Sequence, residues 1–123
     1  MIHHSLPSSA DAGARARVLV LDDLAEALSP SKVAAAQLMA SELVTTAVQH
    51  AGLFEGDLIG LDIHVDPQSV YVSVVDGGPG IGPERGHAGN DPGGWGLVLV
   101  DRISDRWGIQ RSHPHTVWFE IDR

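Results

Sequence analysis

The stretch SELVTTAVQHA, residues 41–51, carries the pattern that decides the fold. Its apolar residues recur every three or four positions, as on one side of a helix, while Glu42, Thr46 and Gln49 or His50 recur on another side. The apolar side continues upstream and predicts one core stripe: Val33, Ala36, Ala40, Leu43, Ala47 and Ala51. Such a helix predicts one face packed on a core and one polar face that can form the wall of a binding site.

Residues typical of helix ends predict the limits of this helix and of an earlier one. Ser29 and Pro30 are typical of a helix start, and Gly52 is typical of a helix end. Two serines and an aspartate within residues 8–11 predict the start of the first helix. Steps of four and three along that helix predict one buried apolar stripe: Ala14, Val18, Leu21, Ala25 and Leu28.

Alternating apolar residues predict strands on both sides of the two helices. IHHSLP, residues 2–7, predicts a short edge strand that ends at its proline. LIGLDIHVD and SVYVSVVDG alternate apolar and polar residues and are joined by a turn at DPQS. GLVLVDRISDRW predicts a short third helix, and RWGIQRS and HTVWFEI predict a closing hairpin. This order predicts an α+β two-layer sandwich in which helices cover one face of a sheet.

The segment VVDGGPGIGP, residues 74–83, ends a strand with an acid and then turns on glycines. By strand parity, Asp76 shares a face with the valines before it. If helices cover that face, the carboxylate is buried and needs a hydrogen-bond donor, for which the exocyclic amine of a purine is one candidate. Gly78 and Gly80 permit close approach of a flat ligand. An acidic turn without a ligand fits the same residues equally well.

A second glycine cluster, in DPGGWGLVLVDRI at residues 91–103, precedes the predicted third helix. Gly94 and Gly96 flank the helix start, where backbone amides with no side chain in the way suit phosphate groups. No Lys-Ser/Thr pair follows, so the cluster is not a Walker loop. The region from Gly77 to Gly96 has no hydrophobic period, which is typical of a binding loop or lid.

Composition narrows the class of protein. The 123 residues suit one domain, and the absence of cysteine excludes disulfides and thiolate metal sites. A net charge of −8, from 16 acidic against 8 basic residues, argues against a nucleic-acid partner. No apolar run approaches the roughly 18 residues of a membrane helix, and the N-terminus lacks the apolar core of a signal peptide. We therefore expect a soluble, cytoplasmic protein that does not bind a membrane.

Four segments together resemble the GHKL (Bergerat-fold) ATPase superfamily, and most closely the small bacterial anti-sigma-factor serine/threonine kinases. The segments are SELVTTAVQHA, VVDGGPGIGP, GGWGLVLVDRISDRWGI and TVWFEI, and their order and spacing agree over nearly the whole chain. The resemblance implies a single histidine-kinase-like ATPase domain over residues 1–123, with a mixed, mostly antiparallel sheet. It also implies ATP and Mg²⁺ as cofactors, a sigma factor and/or an anti-anti-sigma protein as partners, and a homodimer.

The resemblance implies a role for each matching residue. Glu42 is the implied general base, which polarises an attacking hydroxyl group. Asp76 is implied to accept a hydrogen bond from the adenine amino group, and Gly78 and Gly80 to shape the adenine pocket. In the third segment, Gly94 and Gly96 are implied to hold the phosphates.

The sequence departs from the family pattern at three places. Thr46 stands where the family normally has the asparagine that binds Mg²⁺, and a threonine hydroxyl lies on a shorter arm. Pro114 and His115 replace a Gly-Thr pair, and by strand parity His115 faces inward, which makes it a candidate nucleotide contact. Trp95 lies between the two lid glycines, where a small or basic residue is more usual.

These departures leave three hypotheses open. The first is an ATP-binding kinase that also antagonises a sigma factor. The second is an interaction module of the same fold that is impaired in nucleotide binding and phosphoryl transfer. The third is a metal-binding domain, in which histidines of the first and last strands cluster if those strands lie close together: His3, His4, His113 and His115.

Overall fold

The computed structural model describes residues 1–50, 57–76, 93–110 and 115–123. The elements follow one another in this order: β1 (Ile2–Pro7), α1 (Ala12–Leu24), α2 (Pro30–His50), β2 (Leu58–Val65), β3 (Ser69–Asp76), α3 (Gly93–Ile103), β4 (Arg106–Gln110) and β5 (His115–Asp122). The predicted α+β class and the predicted order of elements are confirmed. Within these ranges, every helix is too short or too polar to cross a membrane.

The five strands form one sheet in the order β1-β2-β3-β5-β4. The resemblance predicted a mixed, mostly antiparallel sheet, and over the described strands every neighbouring pair is antiparallel. The register places Ile63, Val72 and Phe119 in one row across three strands. All three side chains are fully buried, so this row is part of the apolar floor on which the helices pack.

Aromatic side chains cover part of the opposite face of the sheet. The rings of Tyr71 and Trp118 stack with their centroids 5.9 Å apart. Gly108 is the cross-strand partner of Trp118, and a Cβ atom at Gly108 would lie 2.7 Å from the indole Nε1. The indole of Trp118 therefore occupies the space that a side chain at position 108 would need.

The core stripe predicted for α2 is confirmed in the described residues. Five of its six residues are buried: Val33, Ala36, Ala40, Leu43 and Ala47. The sixth, Ala51, lies outside the described residues. Met39 and Val44 are buried as well, because α2 contacts α1, β3 and α3 and so is covered on more than one side.

The apolar stripe predicted for α1 is wrong. Val18 and Leu21 are 58% and 46% exposed, and Ala14 and Ala25 are also exposed, while Leu28 beyond the helix is buried. The buried residues of α1 follow steps of four on another face: Ala12, Ala16, Val20 and Leu24.

Close packing of α1 on α2 explains which face of α1 is inside. A Cβ atom at Gly13 would lie 2.5 Å from Thr45 Oγ1 and 3.2 Å from the Ser41 carbonyl oxygen. The two helices therefore approach each other closely at Gly13, and the face of α1 that carries Gly13, Ala16 and Val20 is the one turned inward.

The sheet order does not meet the condition for a histidine metal site. β2 and β3 lie between β1 and β5, which separates the first and last strands by roughly 14 Å at about 4.8 Å per strand. A metal ion cannot bridge that distance between His3 or His4 and His115. Instead, His3 is hydrogen-bonded to Asp62 and His4 to Asp23.

Candidate functional site

Asp76 and His115 form what we call the strand end of the site. Asp76 is the last residue of β3, His115 is the first residue of β5, and the two are cross-strand partners. Directly opposed side chains on one sheet face have Cβ atoms about 4.5–5.5 Å apart. Asp76 is 3% exposed and His115 is 7% exposed, so a carboxylate and an imidazole lie side by side in the interior.

Burial gives the strand end its chemical character. A carboxylate in a low-dielectric interior is costly unless it accepts hydrogen bonds, and both residues do take part in interactions inside the protein. Oxygen acceptors on Asp76 suit an amine donor, and the ring nitrogens of His115 can donate or accept. The pair can therefore recognise the polar edge of a flat, nitrogen-rich ligand.

Glu42, Thr46 and Gly96 form the helix end of the site. Glu42 and Thr46 lie one turn apart on α2 and are half-buried. A Cβ atom at Gly96 would lie 3.6 Å from Thr46 Oγ1 and 3.8 Å from the Glu42 carbonyl oxygen. The first turn of α3 therefore lies against the polar side of α2, and glycine keeps the space beside the Thr46 hydroxyl open.

The path of α2 brings the two ends of the site to the same end of the sheet. α2 begins near the end of β5, where Lys32 Nζ donates a hydrogen bond of 2.8 Å to the Asp122 carbonyl oxygen. It then contacts β3 and β5 as it runs along the sheet. Asp76 and His115 pair at the opposite end of those strands from Asp122, so the second half of α2, with Glu42 and Thr46, lies at their end.

The start of α3 differs from the sequence prediction. The helix begins at Gly93, so Gly94 and Gly96 lie in its first turn and do not precede it. The first-turn amides of a helix have no partner within the helix and carry partial positive charge, which favours anions. The helix starts three residues before Gly96, and the contact of Gly94 and Gly96 with phosphates stays a prediction.

Several predicted site residues lie outside the described residues: Gly78, Gly80, His113 and Pro114, together with the side chain of Trp95. Most of the expected loop from Gly77 to Gly96 lies there as well.

Leu43 is a residue that sequence reasoning placed only in the core. Its Cδ2 atom would lie 3.6 Å from a Cβ atom at Gly96, so it also positions the first turn of α3. The one available signal was its place directly after Glu42.

The described residues offer few protein ligands for magnesium. Among them, no three His, Cys, Asp or Glu side chains come close enough to hold a metal ion. The Glu42 carboxylate and the Thr46 hydroxyl are oxygen donors on one helix side, which is the ligand type that Mg²⁺ takes. Magnesium commonly completes its shell with water and substrate phosphates, so these two donors fit the ion only together with a nucleotide.

Perturbed pKa values occur at the surface, away from the site. The Arg106 guanidinium donates hydrogen bonds to Asp122 and Glu120, which raises the pKa of Arg106 and holds the pKa of Asp122 below its usual value. At the start of α1, the Ser9 hydroxyl and then Arg15 hold the pKa of Asp11 below its usual value. The first contacts fasten β4 to β5, and the second link side chains at the start of α1.

Comparison with known proteins identifies the family to which the chain belongs. A family model described as histidine kinase-like ATPase domain matches residues 6–120, nearly the whole chain. The chain belongs to this family. A search of curated proteins finds no match.

A solved structure of the RsbU and RsbW domains of Rv1364c from Mycobacterium tuberculosis shares the fold. It matches with a TM-score of 0.71 and 21% sequence identity over 99% of this chain. The chain spans 32% of that longer chain. Membership of the histidine kinase-like ATPase family implies nucleotide binding in general, and it confirms the family resemblance of the four sequence segments.

Proposed function

We propose that the chain binds ATP and regulates transcription as a protein of the anti-sigma-factor kinase type. Its expected partners are a sigma factor, an anti-anti-sigma protein, or both. One observation carries the proposal. In a chain of the histidine kinase-like ATPase family, the buried carboxylate of Asp76 and the polar side of α2 lie at the same end of the sheet. The four segments that resemble the anti-sigma-factor kinases supply the regulatory part of the proposal.

Each described site residue has a distinct role in this proposal. Asp76 accepts a hydrogen bond from the adenine amino group, and His115 contacts the same edge of the ring. The backbone amides at Gly94 and Gly96 hold phosphate oxygens at the start of α3. Glu42 is the general base that takes the proton of an attacking hydroxyl group, and bound magnesium would neutralise phosphate charge beside Thr46.

A second candidate function follows from Thr46. Because the usual amide ligand is replaced by a shorter hydroxyl, the same fold can serve as an interaction module without phosphoryl transfer. In that case the chain binds its protein partners whether or not Mg²⁺ and nucleotide are present. The partial exposure of the Glu42–Thr46 side of α2, in contrast with the buried strand end, favours weak binding of a metal ion.

One titration separates the two functions. ATP is titrated into the protein by calorimetry, once with Mg²⁺ and once with a chelator, and transfer of labelled phosphate to a candidate antagonist protein is measured in parallel. The kinase function predicts tighter binding with Mg²⁺ and labelled product. The interaction module predicts no effect of Mg²⁺ and no labelled product. Absence of any ATP binding would contradict the nucleotide-binding function itself.

The proposal also covers the partners of the protein, its location and its pairing. The net charge of −8 favours basic protein partners over nucleic acid. We propose that residues 1–123 act as one domain in the cytoplasm, without a membrane partner. The chain is also proposed to pair with a second copy of itself.

A further inference from the structure

The strand end of the site holds a titratable pair in the interior of the protein. Among the described side chains, every acidic, basic or histidine residue other than Asp76 and His115 is at least partly exposed. The register makes these two cross-strand partners, and strand parity turns both toward the helices, as it does Val72 and Phe119. Directly opposed side chains of this kind are within contact distance of each other. A proton taken up by His115 therefore acts directly on Asp76.

The other charged groups near this pair are acidic. Glu42 lies on the second half of α2, which contacts β3 and β5. Asp57 lies just before β2, whose Ile59 is the cross-strand partner of Asp76. The remaining charged or histidine residues on the strands and the helix that pack on β3 and β5 lie on the outer face of the sheet or at its far end: Lys32, Asp62, His64, Arg106, Glu120 and Asp122. Acidic neighbours favour the charged form of an imidazole.

The two protonation states of His115 offer different hydrogen bonds to a ligand. A neutral imidazole has one N–H donor and one acceptor nitrogen, whereas an imidazolium has two donors and a positive charge. Beside Asp76, a neutral His115 completes an edge that matches adenine, because the carboxylate accepts from the amino group and the imidazole N–H donates to the adjacent ring nitrogen. An imidazolium opposite a carboxylate instead forms a charge-assisted hydrogen bond with it.

We propose that protonated His115 competes with adenine for Asp76, so that ATP binds the form of the protein in which His115 is neutral. The imidazolium directs one N–H toward the carboxylate and neutralises the charge that holds the adenine amino group. A hydrogen bond to a neutralised acceptor is weaker than one to a charged acceptor. The inference rests on the proposed nucleotide binding and adds a condition to it, which is the release of a proton from His115.

Linkage between proton and ligand sets the sign and the size of the effect. A ligand that binds only the neutral form loses about tenfold in affinity for each pH unit below the pKa of the imidazole. Imidazoles ordinarily change charge between about pH 5 and pH 8. ATP affinity is therefore expected to be highest near pH 8 and about tenfold lower near pH 5.5 through this competition. The phosphates of ATP gain protons in the same range, so the effect of His115 is the difference between matched proteins.

The experiment compares the wild type with His115→Gln by calorimetry. Glutamine keeps an N–H donor at this position but does not titrate. ATP with Mg²⁺ is titrated into the full chain at about pH 8 and about pH 5.5, and the ratio of the two affinities is taken for each protein. This ratio is expected to be about tenfold larger for the wild type than for the variant. His115→Thr, whose smaller side chain also does not titrate, is expected to give the same ratio as His115→Gln.

Two further variants test whether the effect belongs to this pair. His64→Gln makes the same change at a histidine on the outer face of the sheet, where it pairs with Asp66 at 2.8 Å, and it is expected to keep the wild-type ratio. Asp76→Asn removes the carboxylate that holds the imidazolium, and it is expected to bind ATP more weakly and with the smaller ratio. Circular dichroism at both pH values verifies that each variant is folded.

A count of protons gives a second, independent measurement. Calorimetry near pH 6 in two buffers of different ionisation enthalpy measures the protons released for each ATP bound. The wild type is expected to release more protons than His115→Gln, by up to one for each ATP. A side chain with a purely structural role would change the affinity without changing this number.

Three results would overturn the inference. Equal ratios for the wild type and both His115 variants would mean that His115 does not compete with the ligand. A wild-type affinity that rises relative to both variants near pH 5.5 would mean that the imidazolium binds the ligand. Both of these results leave nucleotide binding intact, whereas no ATP binding by any of these proteins at either pH would remove the nucleotide-binding function and this inference together.

Discussion

The two ends of the candidate site are built from different kinds of structure. At the strand end, Asp76 and His115 are fixed by the register of two adjacent strands and are buried. At the helix end, Glu42 and Thr46 are half-buried and depend on the packing of α3 on α2 through Gly96. Register cannot shift by a fraction of a residue, whereas helix packing can adjust by small movements. We therefore expect the strand end to determine which ligand binds and the helix end to determine how tightly its phosphates and metal are held.

The largest expected effect on ATP affinity comes from a substitution at the strand end. Replacing Asp76 by asparagine or alanine removes a charged hydrogen-bond acceptor, which is worth roughly 1.5–3 kcal/mol. ATP affinity measured by calorimetry should therefore fall by about tenfold to a hundredfold. Asp62→Ala, on the other face of the sheet, is the control and should bind ATP as the wild type does. Equal affinities of the Asp76 variants and the wild type would remove Asp76 from the site.

The next effect tests the packing at the helix end. Gly96→Leu should push α3 away from Thr46 and weaken ATP binding by about tenfold, since overpacking costs about 1–3 kcal/mol. Gly96→Ala should have little effect, because its Cβ atom would make ordinary contacts of 3.6–3.8 Å. If both variants bind ATP as tightly as the wild type, the first turn of α3 does not contribute to the phosphate site.

A smaller, conditional effect is expected at Thr46. Thr46→Asn extends the oxygen donor by one bond, one turn after Glu42 on the same helix side. ATP affinity should rise by roughly threefold to tenfold when Mg²⁺ is present, and should be unchanged in chelator. Titrations of both proteins under both conditions measure the difference. A gain that appears only after His115→Thr is added would place the limiting defect at the strand end, and no gain in either variant would favour the interaction module.

The smallest expected effect is on the stability of the folded protein. It concerns the contacts that hold β4 to β5, the strand that carries His115. Arg106 lowers the pKa of Asp122, so their contact stabilises the folded protein at pH values above the ordinary carboxyl pKa and is lost as the pH falls through the lowered one. Arg106→Gln should therefore unfold slightly more easily than the wild type at pH 7. The difference should disappear near pH 2, which thermal unfolding at both pH values can measure. A difference that persists at pH 2 would assign the effect to packing of the Arg106 side chain.

Sequence patterns predicted the strands and the core stripe of α2 because the buried residues there recur at the period of the strand or helix. Leu61, Ile63, Val70, Val72 and Val74 alternate as predicted and are all buried. The buried position of Asp76 followed from the same parity. For α1, periodicity favoured a stripe that includes Val18 and Leu21, and both are exposed. The close approach of α1 to α2 at Gly13 selects another face, and no local sequence pattern encodes that distance.

The site was predictable in parts for similar physical reasons. Spacing along one helix placed Glu42 and Thr46 on the same side, and parity along one strand placed His115 inside. Their meeting depended on contacts between distant segments. Gly96 lies against Thr46 because α3 packs across α2, a contact between segments far apart in the sequence that periodicity within either helix does not encode.

The contact of Trp118 with Gly108 has a consequence for the evolution of the chain. Because the indole occupies the volume of any side chain at position 108, a larger residue there is tolerated only if position 118 changes as well. Neither substitution is neutral alone, since one creates overlap and the other uncovers the glycine backbone and the ring of Tyr71. The two positions should therefore change together in descendants of this sequence, although neither is among the described residues of the candidate site.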